Sequence, residues 1–415
     1  MPETDIFLTN QTSNKKKILN DPVYGFVTLK DGFLLDLIDH PWFQRLRRIS
    51  QLGLSHLVYP GAVHNRFHHA IGAMHLMAEA LEVLKQKGVA ITEDEELAAM
   101  IAILLHDVGH GPFSHALEHS MVKGVTHEEI SLGIIKSLNS EFEGRLDLAI
   151  QIFSDTYARK FFHQLVSSQL DMDRLDYLQR DSFYSGVSEG VVGTKRIIKM
   201  LDVVEDNIVV EEKGIYSIEK YVVARRLMYW QVYLHKAVLS AEFMLVNILK
   251  RAKDLARLNV ELFTTPALRE FLYSDVDLTT GDSNELKKFC ELDDYDVLTS
   301  IKVWQNHDDK VLSKLTAELL NRRLFKIKIS SEPWPKELPE KIIEDVAERL
   351  GISIKEAEYL VIQGKVDNKA YSPAAENILI KMKDGRILDL AQASDHFNLS
   401  ALSQPVEKWF LAEVR

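Results

Sequence analysis

Cysteine is nearly missing from this 415-residue chain: Cys290 stands alone. One thiol excludes an internal disulfide framework and any zinc site built from several cysteines, and it fits a reducing compartment. Long apolar runs are missing as well. The longest near the middle, Ala98 to Leu105, stops at His106, far short of the ~20 residues that span a bilayer. Met1 to Lys17 is polar, ends in a run of lysines, and lacks the apolar stretch of a secretory signal. Positive charge is in deficit, 50 Lys+Arg against 61 Asp+Glu, a formal net charge of −11. Such acidity argues against a general nucleic-acid coat but leaves room for a local basic pocket; a single-stranded nucleic acid remains open as a partner, though the charge gives it no support. No internal repeat or low-complexity tract is visible. The expectation is a soluble cytoplasmic protein with no membrane association.

What is present suits a large core: hydrophobic residues make up 46% of the chain and charged residues 27%. Pro41 to Leu52 has a helical pattern. A second helix is predicted from Arg66 to Lys87, stopped by Gly88. Thr92 with Glu95, and Thr126 with Glu129, are capping-box signatures. The first opens an apolar helix reaching His106; the second puts His127 in a first helical turn. Helices are predicted at 145–153, 157–180 and 284–323, and one long helix over 218–259. A hairpin fits 208–210 with 215–217, turned at Lys213–Gly214. Beyond Pro333, Pro335 and Pro339 lie short helices at 339–350 and 353–363, then a hairpin over 377–382 and 386–390. The fold class expected is mainly α: a loose arm at 1–20, a helical body at 21–324, and a smaller C-terminal α+β region at 325–415.

Fifteen histidines matter through their positions. His106-Asp107 closes an apolar helix, where neither side chain is cheap to bury unpaired. Imidazole and carboxylate together suit a transition metal; for the dipeptide alone, a histidine simply capping a helix C-terminus is the favoured reading. Upstream, His68 and His69 point to different helix faces, so one of them at most joins such a site. Downstream, Asp173, Asp176, Tyr177 and Arg180 form one stripe at i, i+3, i+4 and i+7. This is either a solvated face or the acid that an incomplete His/His/Asp set lacks. Arg225, Tyr229 and Tyr233, spaced by four, suit a phosphate fork with stacking rings or an amphipathic helix with basic anchors.

Read together, the segments Phe43 to Gly53, Tyr59 to His69, His106 to His115, Thr126 to Glu128 and Asp171 to Asp181 carry a resemblance. The chain resembles the dNTP triphosphohydrolase (dGTPase-like) branch of the HD-domain phosphohydrolases, strongly over about 21–240 and loosely beyond. The resemblance implies metal ligands His69, His106, Asp107 and Asp173. It implies a catalytic set of His127, near the leaving group, Glu118 supporting it, and His110. It implies substrate contacts from Gln51, Leu52, Arg66, His115, Arg174, Tyr177, Asp181, Arg225 and Tyr233. Three departures stand out: His68 replaces an acid of the animal enzyme, Leu234 replaces its base-contacting glutamine, and no sterile-alpha-motif domain precedes residue 21.

The implied reaction is hydrolysis of a dNTP or dGTP to deoxynucleoside and triphosphate. A metal-activated water attacks the α-phosphorus, and His127 is the general acid. The cofactor expected is a divalent transition metal (Mn, Fe, Zn, Ni or Co), with Mg accompanying the triphosphate. Expected partners are the nucleotide substrate, a nucleotide effector, and further copies of the chain in a dimer or tetramer. The competing expectations are an HD phosphohydrolase for a nucleoside monophosphate or signalling nucleotide, and a slow-turnover nucleotide-binding regulator.

Overall fold

Helix starts are written into this sequence as side-chain caps, and a computed structural model shows them in place. It describes residues 17–113, 124–276, 278, 283–368, 377–395 and 406–415. A hairpin of β1 (Lys17–Asp21) and β2 (Gly25–Leu29) leads into α1 (Gly32–Asp39). Pro41–Gln44 is a single helical turn that tightens into a 3-10 turn at Arg45–Arg48, shorter than predicted. In α2 (Arg66–Gln86), Asn65 accepts the His68 amide while His68 Nδ1 accepts the Asn65 amide. The helix stops before Gly88, whose φ of +89° suits glycine. α3 (Glu93–Leu105) and α4 (His127–Glu141) open on the Thr92–Glu95 and Thr126–Glu129 capping boxes, each cap contributing about 1 kcal/mol.

The predicted helix over 157–180 is two. After α5 (Asp147–Phe153) come α6 (Lys160–Val166) and α7 (Met172–Ser185). Buried Asp171 separates them by accepting the Ser168 and Arg174 amides, 2.7 Å each, an alternative to continuing the helix. α3 and α7 both pack on α2. Gly72 of α2 lets α7 approach: a Cβ there would lie 2.0 Å from Arg180 Nη2.

The predicted hairpin is displaced toward the N-terminus. β3 (Leu201–Val204) pairs antiparallel with β4 (Asn207–Glu211). The turn is Glu205-Asp206 at φ +48° and +61°, a two-residue turn matching strand twist. Residue 215 instead starts α8 (Ile215–Met228), and the long helix predicted to Asn259 is broken. A π-turn at Tyr229–Tyr233 precedes Leu234–His235, and α9 (Lys236–Arg257) departs at 57°. No single helix among the described residues is long and apolar enough to cross a membrane. The 284–323 stretch is likewise three helices, Ser283–Glu291, Asp294–Trp304 and Lys310–Leu320; Asp293 and Asp309 cap the latter two.

Beyond residue 325 the chain builds one small sheet of its own and extends another. β5 (Lys326–Ser330), β6 (Val361–Asn368) and β9 (Val406–Glu413) form an antiparallel sheet in the order β5-β9-β6. The helix predicted over 353–363 ends early, because Val361 onward pairs with β9. The predicted hairpin is present as β7 (Leu379–Lys381) and β8 (Ile387–Asp389). β7 joins β4 in parallel, Val209 opposite Leu379, extending the body's own sheet. Mainly α with small sheets is therefore the observed class.

Candidate metal centre and cleft

Three helices converge on one point. His69 sits one turn into α2, His106 follows the last residue of α3, and Asp173 opens α7. His69 Nε2 lies 3.1 Å from Asp173 Oδ1 and 3.3 Å from His106 Nε2, and the His106 nitrogen is 3.5 Å from the same oxygen. Asp107 closes the group: Oδ1 is 3.3 Å from His106 Nε2, and Oδ2 is 3.7 Å from His69 Nε2. The remaining ring nitrogens are occupied. His69 Nδ1 bonds Asp176 Oδ2 at 2.7 Å, and His106 Nδ1 bonds the Ile103 carbonyl at 2.6 Å. Both histidines thus turn Nε2 inward. His68, beside His69, faces away and belongs to the cap of α2.

A second tier holds the first. Asp176 accepts two bonds from Arg180, 2.9 Å each, and Arg180 Nη1 donates to Asp21 Oδ2 at 2.7 Å. Asp176 and Arg180 are wholly buried. Such outer carboxylates orient metal-ligating histidines. Asp176 was visible in the α7 stripe but received no role from sequence; its signal was the i+3 spacing from Asp173.

Burial and charge set the protonation states. Burial opposes the His69 proton, yet bonds to Asp173 and Asp176 prevail and carry its pKa up to about 10. His106 is raised against burial by Asp107 and Asp173. The converse holds for the acids. Burial works against ionisation of Asp173, but His106 and His69 hold it well below the usual range; Asp176 is held at about 2, against burial, by Arg180 and His69. His110 moves the other way, down to about 3, through burial and the charge of Arg66.

Above this floor opens a cleft of about 580 Å³. Its walls include Gln51, Leu52, Arg66, Asp107, His110, His127, Asp173, Arg174, Tyr177, Asp181 and Tyr233. Arg66 Nη1 donates to Asp107 Oδ2 at 2.6 Å. His110 and His127 stack at 3.9 Å between centroids, and His110 Nε2 is 3.3 Å from Asp107 Oδ1. Asp107, His110 and His127 thereby form a second group able to hold a cation, adjoining His69, His106 and Asp173. His127 Nε2 is 3.2 Å from Glu128 Oε1. Glu118 and His115 lie outside the described residues. Asp181 bridges buried His64 (2.8 Å) and the Tyr233 hydroxyl (2.7 Å). Arg174 lines the cleft while donating to Asp171. Arg225 is not on the cleft wall; its Nη1 donates to Gln169 Oε1 at 2.9 Å.

Sequence reasoning also passed over Arg45. Fully buried, it donates to the carbonyls of Val108, His110 and Leu292 at 2.8–3.0 Å. It pins the turn after His106-Asp107 to the helix pair near residue 292.

Comparison with known proteins agrees with this geometry. Residues 66–181 match the HD domain, and residues 192–266 the HD associated region. An uncharacterized Bacillus subtilis protein, YwfO, is 36% identical over 76% of this chain and 72% of its own length. A Dictyostelium discoideum deoxynucleoside triphosphate triphosphohydrolase SAMHD1 homologue is 30% identical over 85% of this chain and 68% of its own. The crystal structure of a Bacteroides thetaiotaomicron phosphohydrolase superposes with a TM-score of 0.94 at 52% identity, covering 97% of this chain and all of that one.

Proposed function

This chain belongs to the HD-domain phosphohydrolases, and from that premise we propose that it is a metal-dependent deoxynucleoside triphosphate triphosphohydrolase. The observation that carries the reading is the meeting of His69 Nε2, His106 Nε2 and Asp173 Oδ1 within 3.1–3.5 Å, beside Asp107 and under a cleft. The donor set fits a divalent ion: each imidazole has its other nitrogen bonded, so that Nε2, once deprotonated, offers a lone pair inward. Mn, Fe, Zn, Ni and Co all accept such ligands, and Mg suits the oxygens of a bound triphosphate. A metal held there would acidify a water and neutralise phosphate charge.

The protein's own groups would do the rest. Arg66 and Arg174 offer cations to the polyphosphate in a chain of otherwise acidic balance. His110, kept neutral, can donate to a phosphate oxygen without repelling Arg66. Water oxygen adds to the α-phosphorus, and the bond from phosphorus to the 5′ oxygen breaks. That oxygen takes a proton from His127, whose ring lies 3.2 Å from Glu128. Tyr177, Tyr233 and the Gln51–Leu52 turn flank the space for the sugar. The products are deoxynucleoside and triphosphate. Region 325–415 we assign to assembly of the homo-oligomer.

The test is anion-exchange analysis of products from mixed dNTPs with manganese. Triphosphate with deoxynucleoside supports the reading. Inorganic phosphate or pyrophosphate would replace it with another phosphohydrolase activity, and absence of turnover with a nucleotide-binding regulator.

A further inference from the structure

One wall of the cleft is formed by Ser50, Gln51, Leu52 and Phe113, and its backbone is held from behind. Ile49 to Gln51 runs antiparallel to His64 to Arg66: the Gln51 amide donates to the His64 carbonyl at 3.1 Å, and the Arg66 amide to the Ile49 carbonyl at 2.9 Å. Alternation along extended backbone turns the Ser50 amide to the opposite edge. There Asp294 Oδ2 accepts it at 2.8 Å. The other oxygen, Oδ1, accepts the Phe113 amide at 3.2 Å. Phe113 has a left-handed φ of +46°, a conformation that a residue other than glycine keeps only where its surroundings impose it. Asp294 lies buried behind the wall, 4% exposed, at the start of the helix Asp294–Trp304. Arg45 ties the same corner, through the Leu292 carbonyl, to the turn after His106-Asp107. One carboxylate thus joins two cleft-lining segments that are distant in sequence.

Each oxygen has its own amide, and only an ionised acid serves both. Burial pushes the Asp294 pKa up to about 6, against the bonds from Ser50 and Phe113. At pH 8 the group is therefore a carboxylate, with two acceptor oxygens and no donor. Loss of either bond would leave a buried amide unpaired, and the wall would shift toward another partner. We propose that Asp294 is a positioning residue for substrate binding: it holds the Ser50–Leu52 turn and Phe113 together as one rigid wall, against which the nucleoside part of the substrate packs. The inference rests on the triphosphohydrolase reading above. The metal-ligating histidines are oriented by other groups, Asp176 and the Ile103 carbonyl. Asp294 consequently acts on binding, alike in the ground state and the transition state, rather than on the chemical step.

The experiment measures triphosphate release from each dNTP at pH 8 by the full-length manganese-loaded protein, by Asp294→Asn and by Asp293→Asn. Asparagine keeps the shape of Asp294 but offers one acceptor oxygen, so its amine would face the Ser50 or the Phe113 amide. KM should rise about tenfold, the scale of one lost hydrogen bond to a charged acceptor, with kcat within about threefold of wild type and manganese content unchanged. Asp293 is the control: it is buried beside Asp294 but bonds Arg48 and the Tyr295 amide instead of the wall, and its asparagine variant keeps a good helix cap. Its KM should stay at the wild-type value. An unchanged KM in Asp294→Asn overturns the assignment. So does an equal rise in Asp293→Asn, or a joint fall of kcat and manganese content in Asp294→Asn, either of which would make Asp294 a general support of the fold. Asp294→Ala, which removes both acceptors, stands in should the amide fail to fold, and should raise KM at least as far. Calorimetric binding of the four α,β-imido dNTPs reads the same difference without turnover. If the wild type releases no triphosphate yet Asp294→Asn binds an analogue about tenfold more weakly, the activity reading falls and the positioning role stands. Equal binding by the two proteins sinks the positioning role alone, and a wild type that binds none of the four sinks both.

Discussion

Replacing Gly72 with alanine alters no ligand and no charge, yet it should loosen the metal site. The added Cβ would sit 2.0 Å from Arg180 Nη2 and 2.1 Å from Asp176 Oδ1, where relaxed contacts need roughly 3.5 Å. Both side chains are wholly buried, so they must move by more than roughly 1 Å into packed surroundings. The bond from Asp176 Oδ2 to His69 Nδ1, 2.7 Å, is the one that fixes the His69 ring. Two effects of opposite sign compete. Glycine to alanine inside a helix stabilises by about 1 kcal/mol. Disrupting a buried ion pair costs about 3–5 kcal/mol, so the net is a loss of roughly 2–4 kcal/mol. Metal affinity should fall about 10–100-fold, the usual effect of losing an outer carboxylate. Thermal melting of the metal-free protein reads the first quantity, and a chelator-competition titration reads the second. A melting temperature equal to or above wild type, with unchanged metal affinity, would refute the account of Asp176 as the group orienting His69.

Other outcomes follow from the same geometry. Asp107→Ala should abolish metal retention and turnover, since it removes a donor and strands Arg66; stoichiometric metal by elemental analysis together with full activity would contradict this. His127→Ala should lower kcat by about 10²–10⁴ with little change in KM, and a raised KM at unchanged kcat would remove it as the acid. Protons should be released on metal binding at neutral pH, because His69 is raised to about 10 and must lose its proton to ligate; calorimetry in two buffers of different ionisation enthalpy measures this, and zero release would count against it. In the metal-free protein that raised pKa gives stability fully present below about pH 6.5 and lost as pH climbs through 10. Asp176, lowered to about 2, gives stability present above about pH 3.8 and lost as pH falls through 2. Melting temperature against pH should therefore decline at both ends.

Local signals were legible wherever a residue speaks for its own backbone. Thr92, Thr126 and Gly88 placed three helix boundaries, because a cap depends on side chains within one turn. The stripe on α7 gave Asp173, and the resemblance supplied His69, His106 and Asp107 as its companions. What escaped depended on distant partners. Asp171 divides 157–180 through its bonds to Ser168 and Arg174 rather than through a Gly or Pro. The β3–β4 turn uses Glu205-Asp206 at positive φ without glycine, so the visible Lys213–Gly214 drew the hairpin to the wrong place. The pairing of β7 with β4 joins residues 170 apart in sequence, and no local pattern encodes it. Arg45 illustrates the same divide. Its importance lies in the carbonyls it reaches, a property of the folded chain.

The π-turn at Tyr229–Tyr233 sets a rotational phase. Deleting one residue there would restore an α-helical register and swing everything on one side of it by about 100°. Tyr233 would lose its hydroxyl bond to Asp181, 2.7 Å, and α9 would carry its cleft-lining residues Leu239, Glu242 and Leu245 off the wall. Length between Met228 and Lys236 is thus fixed as strictly as residue identity, and single-residue insertions or deletions in that stretch should be tolerated far less than point substitutions at its exposed positions.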